Sequence, residues 1–343
     1  MMLTDIVNGK LMSRTVRIHE FGGPEVLRFE DMAVGEPGPG QVRLRIKAIG
    51  VNRTEVNLRS GFLPVKPPLP SLIGFEAAGE IDALGPGVKA FEVGQRVALV
   101  PTYSATQYGL YGEVSLAPAR SLVAIPDGVA FEEAAATWVA FGTAWAGLIE
   151  VGKLTAGQTV LISAPSSSVG LASIQIANRV GARPIALPRS SKKADALMAL
   201  GAAGVIATRE RGVVDVVDEV NWLTDFRGAD LVFDPVGGHS FAQLVRATAP
   251  GGLLVVYGAL QLEPTVAPPP LIIARDLTIR GVALPLVANR DDRRAALKSF
   301  VSSGLADGSF RPVIDRTFPF EQIAQAHRFM ESGEQVGKIV VMV

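Results

Sequence analysis

The chain has 343 residues, with 33 Lys and Arg against 33 Asp and Glu, no cysteine, and 48% hydrophobic residues. That length points to two domains and a sizeable core, and zero formal charge gives no electrostatic case for nucleic acid or an acidic membrane surface. The lack of cysteine excludes a disulfide framework, and apolar runs stay well under the roughly 18–20 residues of a spanning helix.

The stretch Met1 to Lys10 has one Lys and no long apolar core, so it does not read as a signal peptide, and cytoplasm is the expectation. Met12 offers an alternative start, and residues 1–11 read as an N-terminal extension because strand-like patterning begins at Arg14. The first third then reads as β structure broken by Gly and Pro turns. Val42 to Ala48 alternates apolar and polar residues, the sign of a half-buried strand. Glu80–Leu84 and Gln95–Val100 are further strands, the first ending at the turn Gly85-Pro86-Gly87.

From about residue 131 the pattern changes. Short Val, Ile and Leu strands are expected at 159–163, 184–187, 205–207, 230–233 and 253–257, alternating with helices such as 169–180. That alternation implies crossover units and a parallel sheet covered on both faces. Pro184 suits only the first residue of its strand. A helix near 320–332 and a strand at 339–343 close the chain.

The strand ending at Ser163 runs into Ala164-Pro165-Ser166-Ser167-Ser168-Val169-Gly170 and a helix. This is where a dinucleotide-binding fold puts its phosphate loop, aiming helix N-terminal N–H groups at a pyrophosphate. Only Gly170 stands at an expected glycine, so the rival reading is a serine-rich turn that caps its own helix. The second strand ends at Leu187-Pro188-Arg189-Ser190-Ser191-Lys192-Lys193. An NAD-selective site has Asp or Glu there. Three cations and two hydroxyls instead suit a 2′-phosphate, hence NADPH; the rival is a solvated helix start.

Several motifs occur together in order: His19-Glu20-Phe21-Gly22-Gly23-Pro24, Gly50-Val51-Asn52, Arg59-Ser60-Gly61, Gly74-Phe75-Glu76-Ala77-Ala78-Gly79, Gly94-Gln95-Arg96-Val97, Phe141-Gly142-Thr143-Ala144, Asp234-Pro235-Val236-Gly237-Gly238 and Gly337-Lys338-Ile339-Val340. Together they resemble the medium-chain dehydrogenase/reductase superfamily, and within it the zinc-free quinone oxidoreductases. The resemblance implies an α/β protein: a GroES-like, β-barrel-type catalytic domain over 12–132 and 306–343, and a doubly wound parallel-sheet (Rossmann) NADP-binding domain over 133–305. It implies a homodimer joined through the cofactor domains. It also implies hydride transfer from NADPH, in the interdomain cleft, to a small-molecule quinone or activated alkene.

Asn52 stands where the zinc-dependent relatives place a metal-binding Cys, and Phe75 where they often place a His. Zinc needs thiolate, imidazole or carboxylate ligands at fixed spacing, so no metal is expected. The resemblance puts Asn52 beside nicotinamide and substrate, Thr143 near the carboxamide, and Ser166, Ser167, Ser168, Val169 and Gly170 at the pyrophosphate. Arg189, Ser190 and Lys193 would meet the 2′-phosphate, with Thr208 near the adenosine phosphate. Gly258 would let the backbone pass close to the cofactor, and Lys338 would stand at the cleft rim. Relatives often have Tyr at the position of Leu63, a candidate proton donor in enoyl-thioester reductases; that donor is missing here.

Taken as isolated residues, Asn52 also suits a turn or helix cap, Glu55 a first-turn helix charge, and Glu76 a structural role. Tyr111 reads as packing, and Tyr103 and Tyr108 as candidate cleft-lining groups. Trp138 and Trp145, seven apart, read as core. The leading expectation is an NADPH-dependent, zinc-free reductase of a quinone-like acceptor. Its rivals are an enone or enoyl-thioester reductase and a non-catalytic NADPH-binding protein.

Overall fold

A computed structural model describes residues 6–7, 10–63, 65–209 and 213–343. The chain divides into two compact units, Met1–Val139 with Pro312–Val343, and Ala140–Arg311.

The first unit is built around the strand Gln41–Val51. It pairs antiparallel with Ala77–Leu84, Val114–Pro118 and Lys338–Met342. The alternation read at Val42, Leu44 and Ile46 is real, and all three are buried. The last strand docks in the register Ile339↔Val51 and Val340↔Gly50. That register sets residue 338 beside residue 52.

A second, smaller sheet pairs Lys10–Ile18 with Leu27–Val34, Ile6–Val7 and Ser71–Leu72. This strand begins before Arg14, so residues 10–11 are not mere extension; residues 1–5 and 8–9 lie outside the described residues. The signal was hidden because inward positions are polar. Ser13 and Thr15 are buried, and Ser13 Oγ donates to the Val114 carbonyl and accepts from the Val114 N–H.

The second unit holds six parallel strands: Thr159–Ser163, Arg183–Leu187, Gly204–Val205, Ala229–Asp234, Thr248–Val256 and Thr278–Gly281. Across the sheet they run third, second, first, fourth, fifth, sixth, the doubly wound arrangement. The order reverses between the first and fourth strands, the point where such sheets bind ligands beyond the strands' C-terminal ends. Every residue of Thr159–Ser163 is buried, as a central parallel strand requires. Pro184 is the second residue of its strand, not the first, because pairing already begins at Thr159↔Arg183.

The unit borders fall later than 132/133 and 305/306. The helix Phe131–Ala135 packs on the strands Gln41–Val51, Ala77–Leu84 and Arg96–Leu99, which ties it to the first unit. Phe310 packs against Gly304 and the rings of Phe141 and Phe300, and Arg311 N donates to Gln175 Oε1, which ties residues 306–311 to the second.

Candidate active site

Asn52 ends the strand Gln41–Val51 and precedes the helix Arg53–Ser60. It lies in a buried polar network. Lys338 Nζ donates to Asn52 Oδ1 (2.5 Å) and forms an ion pair with Glu76 Oε2. Asn52 Nδ2 donates to the Gly50 carbonyl (3.0 Å), to Glu55 Oε1 (3.3 Å) and to Glu76 Oε2 (3.4 Å). Glu76 Oε1 accepts from the Val139 N–H at the start of the helix Trp138–Trp145 (2.8 Å). Lys338, Glu76 and Glu55 are 1%, 0% and 0% exposed, and Asn52 is 7%.

Two backbone features make room for this network. A Cβ on Gly50 would lie 2.1 Å from the Ala135 carbonyl and 2.8 Å from both Glu76 Oε2 and Lys338 Cε. Phe75 is clamped on both sides: its N–H donates to Glu55 Oε1 (3.0 Å) and its carbonyl accepts from Tyr103 Oη (2.9 Å). Burial pushes the Glu55 carboxyl up to about 7, against the Lys338 charge and the hydrogen bonds from Phe75 and Asn52. Glu55 Oε2 has no hydrogen-bond partner.

These facts correct one sequence expectation and extend another. Lys338 is not at a rim but fully buried beneath Asn52, because its strand joins the central one on the core side. Glu55 stands in the first turn of its helix, as expected, and is fully buried there. Tyr103 is buried and bonded to main chain, and Tyr111 is buried with its hydroxyl 3.0 Å from His327 Nε2. Trp138 and Trp145 are core residues.

In the second unit, the loop after the first strand turns at Ala164, with φ +47°, a left-handed conformation unusual for a residue with a Cβ. Ser167 is the N-cap of the helix Ser168–Arg179: its Oγ accepts from Gly170 N (3.1 Å) and donates to the Ala164 carbonyl (2.8 Å). The self-capping turn expected as a rival is therefore present, and Ser167 is the residue that makes it. Ser166, Ser168 and Val169 are only half-buried around it. A Cβ on Gly170 would meet the backbone of Ala164 and Pro165 at 2.6 Å, so glycine is required there.

Lys193 Nζ donates to Ser166 Oγ (3.3 Å), joining the cationic strand end to the loop. Ser190 precedes the turn Ser191–Lys193. Thr208 N donates to the Pro188 carbonyl (2.9 Å) and Arg209 N to the Arg189 carbonyl (3.0 Å). Ser166, Arg189, Ser190, Lys193 and Thr208 thus gather at one end of the sheet. Gly258 follows the fifth strand, where a Cβ would meet Pro235 at 3.1 Å. Thr143 is half-buried on the helix Trp138–Trp145.

Two residues at this end escaped the sequence reading. Asp234 is fully buried, accepts from Val236 N and Gly237 N, and has its carboxyl raised by burial. The Tyr257 hydroxyl is buried beside Ser167; burial first, then the Asp234 charge, holds it well above the usual phenol range. The motif Asp234-Pro235-Val236-Gly237-Gly238 was a visible signal for the first; nothing local marked the second. Among the described residues no group of three or more His, Asp or Glu is placed to hold a metal ion, and no helix is long and apolar enough to cross a membrane.

The chain matches two family models: an alcohol dehydrogenase GroES-like domain over residues 38–127 and a zinc-binding dehydrogenase over residues 168–302. It is 32% identical over 332 residues to quinone oxidoreductase of Pseudomonas aeruginosa, an alignment covering 96% of this chain and 100% of that protein. Its fold superposes on Escherichia coli quinone oxidoreductase complexed with NADPH with a TM-score of 0.88 at 26% identity, covering 96% and 100% of the two chains. It superposes on the CurK enoyl reductase at 0.85 and 25% identity, covering 96% and 99%. With both domain types matched in order and relatives aligned along nearly its whole length, the chain belongs to the medium-chain dehydrogenase/reductase superfamily.

Proposed function

We propose that the protein is an NADPH-dependent oxidoreductase that passes a hydride to a quinone-like acceptor without zinc. The observation that carries this reading is the serine- and cation-lined end of the second strand, where Lys193 reaches Ser166 and Arg189 lies in register with Arg209. No carboxylate occupies that strand end to grip a ribose 2′-hydroxyl. NADPH, when bound, supplies the hydride. Arg189, Ser190 and Lys193 hold the 2′-phosphate by charge-assisted hydrogen bonds, with Thr208 beside them. Ser166 to Gly170 take the pyrophosphate at the helix N-terminus. The close approach of the loop backbone at Gly170 supports a ligand at this loop. Thr143 and Gly258 complete the set.

Zinc suits the Asn52 position poorly. The Lys338 ammonium already sits on Asn52 Oδ1 and Glu76 Oε2, and a second cation there would be repelled. The hydride step needs orientation and exclusion of water more than an acid or base, and the last proton comes from solvent. A second copy is expected to pair along Thr278–Gly281, an edge strand exposed at all four residues, with Ile273 and Leu286 exposed nearby.

The test is NADPH oxidation against quinones, enones and enoyl thioesters, with NADH as control. Fast quinone turnover with NADPH alone is the expected result. Preference for alkenes would move the assignment to an enoyl or enone reductase, the reading favoured by the likeness to the CurK enoyl reductase; Leu63 in place of a tyrosine weighs against its thioester form. Saturable NADPH binding without turnover would leave a non-catalytic binding protein.

A further inference from the structure

A lysine with 1% exposure is rare, and burying an ion pair usually gains little stability over apolar packing. A charge kept in such a place therefore calls for a role. Lys338 has three hydrogens to donate and none to accept, so the Asn52 atom facing it must be the carbonyl oxygen. That contact, at 2.5 Å, settles the orientation of the amide. One Nδ2 hydrogen goes to the Gly50 carbonyl at 3.0 Å. The other is shared, at 3.3 and 3.4 Å, between two carboxylate oxygens. It is the weakly held hydrogen of the network, on its most exposed residue.

We propose that Lys338 is a positioning residue for hydride transfer: its ammonium locks Asn52 with Oδ1 inward and polarises the amide, so that Nδ2 donates to the oxygen of the bound acceptor. An ammonium on the carbonyl oxygen makes the amide N–H a stronger donor, as linked hydrogen bonds polarise one another in a low dielectric. The acceptor gains the electron pair with the hydride, its oxygen takes the negative charge, and solvent supplies the proton. Stabilising that oxygen as its charge grows is what accelerates the step. The inference rests on the proposed hydride transfer to a carbonyl-type acceptor.

The network's charge sets its pH response. Glu55 is faced by Glu76 before the strand Ala77–Leu84, by Lys338, and by Tyr103 and Tyr111, with Arg59 on its own helix. Ionising Glu55 adds one negative charge beside Asn52, beyond the Glu76–Lys338 pair, and opposes the developing oxyanion.

The experiment is a double-mutant cycle of Lys338→Met and Asn52→Ala, reading kcat, KM for the quinone and the Kd of NADPH. Each single change is expected to lower kcat about 100-fold, the loss that follows removal of one donor to a developing oxyanion, with the NADPH Kd unchanged. The double variant should lose no more than the worse single. Losses that multiply would overturn the proposal, since Lys338 would then act elsewhere or only as scaffold. If Lys338→Met does not fold, Lys338→Met with Glu76→Gln removes both charges and enters the cycle in its place. A second readout needs no turnover: the Glu55 carboxyl followed by infrared difference against Glu55→Gln. Losing the nearby cation should raise its midpoint by about 1 unit or more; an unmoved midpoint would overturn the electrostatic reach of Lys338. A wild-type protein inert toward every acceptor would sink the proposed function, while the infrared titration would still report on Lys338.

Discussion

The two regions proposed to carry the chemistry satisfy their polar groups in opposite ways. Around Asn52, nearly every donor and acceptor is used inside the protein, and four side chains from three distant segments close on one another. At the sheet end of the second unit, Ser166, Ser168, Arg189 and Ser190 lie instead on short connections and helix starts, half-buried or exposed. On the proposed function, the first holds a fixed electrostatic state and the second receives a charged ligand. A closed network should respond to substitution with loss of stability, and an open one with loss of affinity.

The sharpest test of the closed region is Gly50→Ala. Its Cβ meets main chain at 2.1 Å, so about 3 kcal/mol or more of destabilisation is expected from overpacking, read by denaturant unfolding. Glu76→Ala strands Lys338 as an unpaired buried charge and should cost about 3–5 kcal/mol. Lys338→Met with Glu76→Gln should recover most of it in the same assay. If either single change left stability intact and altered only NADPH affinity, the contrast between the regions would fail.

In the open region, Arg189→Ala and Lys193→Ala should each weaken NADPH about 10-fold or more, the worth of a hydrogen bond to a charged group, by fluorescence titration. Melting temperature and NADH binding should hardly change. An equal loss for NADH would remove the 2′-phosphate from the account.

The pH dependence of stability separates the regions again. Glu55 has its carboxyl raised from 4.5 to about 7. A raised group contributes stability that is fully present below its unfolded value and lost as pH rises through its folded value. Wild-type stability should therefore fall between about pH 4.5 and pH 7–8, and Glu55→Gln should flatten that slope in pH-dependent melting curves. The smallest effect is expected at Ala164→Gly. Relief of the left-handed strain is offset by the entropy of glycine, leaving a change within about 1 kcal/mol and NADPH affinity intact.

Local patterns made the second unit legible. Apolar runs of three to five residues marked five of its six strands, while the exposed Thr278–Gly281 carried no such run, and the loop Ala164–Gly170 lies wholly within one strand–turn–helix. The first unit was legible only where the inward face was apolar. Ser13 and Thr15 point inward, so the start of their strand carried no hydrophobic alternation. The network around Asn52 was hidden for another reason. Asn52 and Lys338 are joined by strand register across most of the chain, and no window of sequence contains both. Phase alone could not say that Lys338 faces the core, since a lysine at a strand's first residue ordinarily reads as exposed.

That register has a kinetic consequence. On the ribosome the six-stranded sheet, with its loop and its cations, is translated in full before Lys338 emerges. An unfinished chain can form the nucleotide half, yet Asn52 and Glu76 still await their counter-charge. On the positioning role proposed for Lys338, closure of this distant pairing is the step that completes the site, and slow non-local pairing of this kind would keep a nascent chain reaction-incompetent until that strand has docked.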